Sequence, residues 1–299
     1  MGRMRGPVIF FNFIEWAKMK ESQFVISANG VRVPKVIYGT AWKKERTAAL
    51  VERAVTLGFR GIDTACQPRH YDEAGVGAGL AQSLSAGLTR ADMYLQSKFT
   101  PLDGQDRERI PYDPKANLSE QVAQSFETSL SNLRTTYLDC LILHAPLASE
   151  RHTMEVWRAM EAIFHAGGAR QLGISNCYAP EMLEALYRKA HTKPAVVQNR
   201  FYADTAYDRE VRAFCRRHRM LYQSFWTLTA NPGVLAHGLL QALASKYQRT
   251  PAQVFFRCLT QIDIIPLTGT TSVAHMREDL AIFDFELTNN ECDAVAVLL

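Results

Sequence analysis

Closely spaced cysteines are missing from this sequence of 299 residues. The six cysteines stand singly along the chain, as Cys66, Cys140, Cys177, Cys215, Cys258 and Cys292. Zinc and redox sites are typically built from C-x-x-C pairs, and small secreted domains from a dense disulfide framework. The spacing therefore predicts a reduced protein without a metal site, in a cytoplasmic location.

A strong excess of charge of either sign is also absent. The 34 Lys and Arg against 30 Asp and Glu give a formal net charge of +4, and 47% of the residues are hydrophobic. Because so dilute a charge does not form an electrostatic surface for nucleic acid, we expect no nucleic-acid partner. The composition is that of an ordinary globular protein and names no ligand.

No hydrophobic run is long enough to cross a bilayer. The run PVIFFNFI near the start is much shorter than the ~20 residues that a spanning helix needs, and it lacks a signal-peptide cleavage pattern. We interpret residues 1–22 as a poorly ordered or loosely docked extension; a weak organelle or membrane-surface address is the alternative. Residues 23–299 are expected to form a single domain, with a monomer as the working expectation.

A G-x-G-x-x-G turn does not follow the first strand-like run, which argues against a doubly wound dinucleotide-binding sheet. Instead, eight short apolar runs alternate with helical patterns from residue 33 onward, which predicts an α/β fold of the (β/α)8 (TIM) barrel type. The runs are VPKVIYGT, GFRGIDTA, DMYLQSKF, YLDCLILHAP, RQLGISN, PAVVQNRF, MLYQSFW and DIIPLTGT. Before them, an Asn29-Gly30 turn predicts a hairpin that caps the bottom of the barrel.

Polar residues follow several of these runs, at the end of a barrel where active sites are built. They are Asp63, Lys98, His144, the pair Ser175 and Asn176, and Gln198. Each alone is compatible with a helix cap, a solvated edge or a packed ring. Because separate strands bring them to one rim, we favour a functional site.

An Asp-Lys pair beside a tyrosine has a specific chemical use. A nearby ammonium group favours the ionised phenol, and on this basis we expect Lys98 to lower the pKa of a neighbouring tyrosine and so make it a better proton donor. His144 is expected to orient a carbonyl oxygen and stabilise the negative charge that develops there.

Eight motifs, taken together and in order, resemble the aldo-keto reductases over about residues 24–298. They are NGVRVPKVIYGTAW, GIDTA, YLQSKF, SFETSLSNLRTTYLDCLILHAP, QLGISN, VVQNRFY, TPAQVFFRC and HMREDL. The resemblance implies a (β/α)8 enzyme that reduces aldehydes and ketones with a nicotinamide cofactor. It also implies an Asp-Tyr-Lys-His catalytic tetrad, of which Asp63, Lys98 and His144 match directly.

The tyrosine of the tetrad is less simple, because the loop RGIDTACQPRHYDE is longer than the family pattern. Counting back three residues from Glu73, as in the family, reaches His70, whereas matching the residue type reaches Tyr71. We favour Tyr71 as the proton donor because Asp63 and Lys98 suit a phenol. His70 as the donor, or as a substrate contact, remains open, as does a site in which neither residue acts as in the family.

For the cofactor, the resemblance implies that Ser175, Asn176 and Gln198 bind the nicotinamide carboxamide and that Phe225 stacks on its ring. At the other end, Leu267 and His275 replace the basic residues that commonly hold the 2′-phosphate of NADPH. Remaining candidates for the phosphates and adenine lie in and beside the run LTGTTSVAHMREDL: Thr268, Gly269, Thr270, Thr271, Ser272, Arg277, Glu278 and Asp279. We predict NADPH, without excluding NADH.

The substrate pocket is expected to be open, because the sequence stops at Leu299 where most members of the family continue into a tail. Trp42, Trp226 and the long segment that begins at Pro101 are its expected walls. We predict a small-molecule carbonyl reductase; retention of His144 favours carbonyl over carbon-carbon double-bond substrates, since double-bond reductases resembling this family carry a glutamate there. The alternatives are a reductase of imines or other unusual electrophiles, and a non-catalytic cofactor-binding regulatory protein.

Overall fold

The structure, a computed structural model, describes residues 20–299. The part of the chain described begins with an antiparallel hairpin of strands β1 (Phe24–Ile26) and β2 (Arg32–Pro34). Gly30 adopts a φ of 75° in the connecting turn, a conformation that glycine reaches without steric cost. The hairpin predicted at Asn29-Gly30 is therefore confirmed, whereas residues 1–19 of the predicted extension lie outside the described residues.

Eight parallel strands of the described chain close into a barrel, which confirms the predicted fold. They are β3 (Ile37–Gly39), β4 (Gly61–Asp63), β5 (Tyr94–Phe99), β6 (Cys140–Leu143), β7 (Leu172–Ser175), β8 (Val196–Arg200), β9 (Leu221–Phe225) and β10 (Ile264–Thr268). Each pairs with its neighbour in sequence, and β10 pairs with both β9 and β3. All residues of β5 and β10 are buried, as expected for strands covered on both faces.

Helices surround the barrel. They are α1 (Thr47–Leu57), α2 (Glu73–Ser85), α3 (Leu118–Leu133), α4 (Glu150–His165), α5 (Pro180–Lys189), α6 (Arg209–Arg217), α7 (Pro232–Ala236), α8 (Gly238–Tyr247), α9 (Pro251–Gln261), α10 (Val273–Leu280) and α11 (Asn289–Ala296). Several begin at reciprocal caps, such as Asn117 with Glu120 and Thr250 with Gln253, so that two backbone donors of the first turn are satisfied. These caps fix where the loops above the barrel end.

The buried hydrophobic residues between 20 and 299 form two clusters. The larger lies between the strands and the helices and includes Trp157, Phe255 and Phe256, all fully buried. In the smaller one, Val31 and Val33 belong to the hairpin segment and pack with residues of the barrel strands. The hairpin thus covers one end of the barrel and leaves the opposite end, where the strands finish, for a site.

The described residues contain no helix that is long and apolar enough to cross a membrane. Between residues 20 and 299, no group of three or more His, Cys, Asp or Glu side chains is placed to hold a metal ion. All six cysteines are buried and free.

Candidate active site

A cavity of about 1200 Å³ lies at the carboxyl ends of the barrel strands. Of the site residues predicted from sequence, Lys98, Pro101, Thr271, Ser272 and Arg277 do not line it. Those that do are Trp42, Asp63, His70, Tyr71, His144, Ser175, Asn176, Gln198, Phe225, Trp226, Thr268, Gly269, Thr270, Glu278 and Asp279. Residues from many strand ends therefore meet in one space, as the barrel topology requires.

Asp63 and Lys98 form a buried ion pair at the floor of the cavity. Lys98 Nζ lies 2.6 and 2.8 Å from the two carboxylate oxygens of Asp63 and donates to the carbonyl oxygen of Thr64 at 2.9 Å. Burial lowers the pKa of Lys98, and the charge of Asp63 opposes that shift. Lys98 does not line the cavity because it lies behind Asp63 with only 1% of its surface exposed.

Three glutamines surround this ion pair, and the sequence interpretation assigned no positioning role to any of them. Gln96 and Gln198 donate to Asp63 Oδ1 at 2.7 and 2.9 Å, and both also donate to Gln223 Oε1 at 2.8 Å. The alternation of side chains along a strand could have revealed that Gln96 lies near the ion pair. Gln96 precedes Lys98 by two residues, and residues two apart share a face of the strand. The network holds the Asp63 carboxylate in one orientation.

The loop between β4 and α2 separates the two neighbouring rings, His70 and Tyr71. Both backbone N–H groups donate to the carbonyl oxygen of Gln67, which makes a tight turn, and Asp72 caps α2 directly afterwards. The His70 ring stacks on Trp42, with 4.0 Å between centroids. Tyr71 faces inward: its ring centre is 5.2 Å from Lys98 Nζ and 6.0 Å from the His144 ring.

Helix α2 begins at Glu73, two residues after Tyr71, and Glu73 anchors it to the barrel. This buried carboxylate accepts hydrogen bonds from Ser97 of β5 and Ser129 of α3. Burial raises the pKa of Glu73, and the serine hydroxyls oppose that shift. Because Ser97 adjoins Lys98 in the same strand, this anchor fixes the distance between Tyr71 and the ion pair.

The expected lowering of the tyrosine pKa is wrong for the protein without ligands. Burial, and then the negative charge of Asp63, raise the pKa of Tyr71 above its usual range. The physical reason is that Asp63 neutralises Lys98 at close range, so the ammonium does not compensate for the loss of solvation. Tyr71 is thus a protonated phenol, and no residue in the described range 20–299 hydrogen-bonds its hydroxyl.

His144 is a neutral ring with one nitrogen held by the protein. Its Nδ1 lies 2.7 Å from Thr100 Oγ1. Burial, together with the charges of Lys98 and His70, lowers the pKa of His144 well below its usual range. With Nδ1 engaged, Nε2 is the ring nitrogen free for a ligand in the cavity. Thr100 was missed from the sequence, although it follows Lys98 by two residues at the end of β5.

Ser175 and Asn176 are engaged with neighbouring strands. Ser175 Oγ donates to the carbonyl oxygen of Gln198 at 2.7 Å, and Asn176 Nδ2 donates to that of His144 at 2.8 Å. Asn176 adopts a φ of 52°, which asparagine tolerates better than most residues. Both side chains face the cavity, and their contacts with a nicotinamide carboxamide stay a prediction.

The far end of the cavity lies at β10 and α10. Thr268 Oγ1 donates to Asp279 Oδ2 at 2.7 Å, and burial raises the pKa of Asp279 to about 6. Lys43, which the sequence interpretation did not consider, donates to the carbonyl oxygen of Gly269 and lines the cavity. Arg277 is exposed and does not line it, because two residues along a helix point to different sides. Asp279 therefore lines the cavity, whereas Arg277, which was also predicted to contact the cofactor, does not.

Two tryptophans form the rim of the cavity. Trp42 and Trp226 have φ values of 63° and 56°, and 57% and 47% of their surfaces are exposed. A positive φ is unusual for a bulky residue and is characteristic of functional sites. Phe225, directly before Trp226, also lines the cavity.

A second, smaller cavity of about 390 Å³ adjoins the first and shares Gln67, His144 and Asn176 with it. Its other walls come from the segment predicted to contact substrate and from the short loop after β6, through Pro101, Leu102, Leu118, Ala145, Pro146 and Leu147. Hydrogen bonds from Gln105 Nε2 to the carbonyl oxygens of Cys66 and Thr100 hold this segment against the barrel. His144 therefore stands between the two cavities.

Comparison with known proteins is consistent with this architecture. Residues 35–299 match the family model described as Aldo/keto reductase family. An uncharacterized oxidoreductase of Bacillus subtilis, YtbE, is 30% identical over 273 residues, which cover 90% of each chain. An NADPH-dependent alpha-keto amide reductase of Saccharomyces cerevisiae is 27% identical over 301 residues, covering 92% of this chain and 90% of the relative. The crystal structure of an aldo/keto reductase from Brucella melitensis superposes with a TM-score of 0.78 at 27% identity, over 92% of this chain and 99% of that one.

Proposed function

Because the chain belongs to the aldo/keto reductase family, we propose that it reduces an aldehyde or ketone to an alcohol with NADPH, and that Tyr71 donates the proton. The observation that carries this proposal is the inward position of Tyr71, between Lys98 and His144, while His70 stacks on Trp42 at the rim. The sequence interpretation left these two rings open as candidates.

The residues of the large cavity fit a nicotinamide dinucleotide. The cavity is continuous from the catalytic residues to Asp279. Ser175, Asn176 and Gln198 would hold the carboxamide, Phe225 would stack on the ring, and the β10 end would hold the adenine half. When bound, the reduced nicotinamide supplies a hydride to the carbonyl carbon. The preference for NADPH is supported by the name of the yeast relative and by the ammonium group of Lys43 at the β10 end.

In the proposed mechanism His144 orients the substrate. When Thr100 donates to Nδ1, the neutral ring carries its proton on Nε2, which then donates to the carbonyl oxygen. As the carbon accepts the hydride, the O–H bond of Tyr71 breaks and its proton passes to that oxygen, giving the alcohol. Lys98, held by Asp63, stabilises the resulting phenolate until it regains a proton from water.

The smaller cavity beside His144 is proposed to accept the substituent of the carbonyl carbon. The wall residues Leu102, Leu118 and Leu147 favour an apolar group, although Asp103, Gln121 and His152 line the same cavity. We therefore propose aromatic aldehydes and keto amides as the first substrates to assay.

The direct test follows cofactor absorbance with NADPH, and separately with NADH, for the native chain, Tyr71→Phe and His70→Ala. Loss of a general acid costs roughly 10² to 10⁴ in rate, and we expect that loss for Tyr71→Phe only. A matching loss for His70→Ala alone would transfer the proton-donor role to the histidine. Lys98→Met serves as an inactive control.

If the native protein binds NADPH but turns over no carbonyl compound faster than the Lys98→Met variant, the proposed reductase activity is wrong. Cofactor binding is measured separately through quenching of tryptophan fluorescence, so that a protein that binds without turnover is recognised as such.

A further inference from the structure

Arg200 is a cavity residue to which neither the proposed mechanism nor the sequence interpretation gives a role. It is the last residue of β8 and follows Gln198 by two positions. Residues two apart in a strand share a face, and both side chains line the large cavity. The guanidinium group of Arg200 therefore reaches the mouth of the cavity above the polar network around Asp63.

Two aromatic rings support this guanidinium group. Its carbon lies 4.2 Å from the centre of the Trp226 ring and 5.4 Å from that of Tyr202. The backbone is also fixed, because Arg200 N donates to the hydroxyl of Tyr178 at 3.2 Å. The positive φ of Trp226 turns its indole out of the core and against Arg200. An arginine held in this way loses less conformational entropy when it forms a further hydrogen bond.

Within residues 20–299, the guanidinium group of Arg200 donates no hydrogen bond and has no carboxylate within ion-pair distance. Two other stacked arginines, Arg90 and Arg170, lie over Tyr137 and both pair with Asp139. Arg217, which lies over Phe214, has no ion pair among the described residues, but it is exposed outside the cavity. Three acids line the cavity, Asp63, Glu278 and Asp279, and none of them lies within ion-pair distance of Arg200. Asp63 is paired with Lys98, and Asp279 is bonded to Thr268. Arg200 thus presents free, preoriented N–H donors to the cavity.

We propose that Arg200, supported by Trp226 and Tyr202, binds an anionic oxygen group, a carboxylate or a phosphate, of a ligand in the cavity. A planar guanidinium matches both groups because it can donate two parallel hydrogen bonds. The anion comes either from an acidic substituent of the carbonyl substrate or from the diphosphate of the dinucleotide. This inference rests on the proposed function for its ligands, and binding measurements test it without turnover.

The experiment compares the native chain with Arg200→Gln, which removes the charge, and Arg200→Lys, which keeps the charge but loses the planar fork. Arg217→Gln is the matched control, because Arg217 also stacks on a ring, that of Phe214, but is exposed outside the cavity. Calorimetry measures the binding of NADPH, and then of 4-carboxybenzyl alcohol and 4-methylbenzyl alcohol to the protein saturated with NADP⁺. Circular dichroism verifies that each variant is folded.

If the anion belongs to the substrate, Arg200→Gln weakens binding of 4-carboxybenzyl alcohol by about 10- to 100-fold and changes binding of the methyl compound by less than about twofold. If it belongs to the dinucleotide, the same loss appears in NADPH binding and not in the difference between the two alcohols. Arg200→Lys is expected to lie between the native chain and Arg200→Gln in either case.

The proposal is overturned if Arg200→Gln binds all three ligands within about twofold of Arg217→Gln. Should Arg200→Gln fail to fold, Arg200→Lys decides the question by the same comparison. The rates with 4-carboxybenzaldehyde and 4-methylbenzaldehyde are recorded in parallel. A native protein that binds these ligands but reduces neither aldehyde contradicts the proposed function, while the binding results still decide the role of Arg200.

Discussion

The hydrogen bond between Thr100 and His144 is the residue-scale contact on which the proposed orientation of the substrate depends. In Thr100→Val, the buried Nδ1 of His144 loses its partner at 2.7 Å and the ring is free to change tautomer. A hydrogen bond of this kind contributes about 1 kcal/mol, so we expect kcat/KM to fall about 5- to 10-fold. Thr100→Ser should restore it. Equal rates for the native chain and Thr100→Val, with both folded, would contradict a positioning role for Thr100.

The pH dependence of the reaction follows from two shifts at the same site. The pKa of Tyr71 is raised and that of His144 is lowered, both chiefly by burial. Between about pH 7 and 9, which lies between the ordinary pKa values of histidine and tyrosine, the phenol therefore stays protonated and the imidazole neutral. We expect kcat/KM for carbonyl reduction to be flat over this range. An apparent pKa near 7 in the native profile that disappears in Tyr71→Phe would contradict the assignment.

At the scale of elements, the contact between α2 and α3 fixes the helix that begins two residues after Tyr71. A Cβ atom added at Gly77 would lie 2.1 Å from the carbonyl oxygen of Asn132 and 3.0 Å from the backbone of Leu133. Backbone atoms cannot yield as a side chain does, so the overpacking exceeds the ~1 kcal/mol that alanine adds to helix propensity. We expect Gly77→Ala to lower the free energy of unfolding by about 1–3 kcal/mol.

Urea unfolding measures this change, and Gly238→Ala in α8 is its matched control. A Cβ atom at Gly238 has no neighbour within 4 Å, and there alanine should be neutral or stabilise by up to about 1 kcal/mol. If Gly77→Ala is as stable as Gly238→Ala, the close approach of α2 and α3 is not a constraint on the position of Tyr71.

The elements themselves were accessible from the sequence, since every barrel strand lies within one of the eight apolar runs. Parallel strands that are buried on both faces consist of short continuous apolar runs. Such runs can be recognised in the sequence before any tertiary contact is known. The family was predicted from eight motifs in order. The catalytic part of the cavity lining was accessible because strand ends meet at one rim. The motif HMREDL does not show which side of α10 faces the cavity. The sequence therefore did not reveal that Arg277 points away from it.

The sequence also did not determine the conformation of the loop between β4 and α2. His70 and Tyr71 are adjacent, and only the turn at Gln67 and the cap at Asp72 decide which ring faces Lys98. The direction of the pKa shift of Tyr71 could not be predicted from sequence, because it depends on the burial of Tyr71 and on the ion pair between Asp63 and Lys98. The stacking of Arg200 depends on the backbone conformation of Trp226, which no residue pattern signals.

At the scale of the whole molecule, Asp279 links stability to pH through the strand that closes the barrel. Thr268 ends β10, which pairs with both β9 and β3, and it donates to Asp279 on α10. Burial raises the pKa of Asp279 to about 6, above the ~3.9 of an unfolded chain. A raised folded-state pKa contributes stability that is complete below the unfolded value and is lost as pH rises through about 6. At neutral pH the folded barrel therefore contains a buried carboxylate that opposes folding.

Asp279→Asn removes that charge and keeps an oxygen that accepts from Thr268. We expect the free energy of unfolding of the variant to rise relative to the native chain as the pH increases from about 4 to 7.5, by up to about 3 kcal/mol. Guanidinium chloride unfolding at several pH values measures this difference, and Asp103→Asn in the exposed loop after β5 controls for a change in net charge. A difference that is constant with pH, or that favours the native chain at neutral pH, would show that the Asp279 carboxylate is stabilised by its surroundings in the closed barrel.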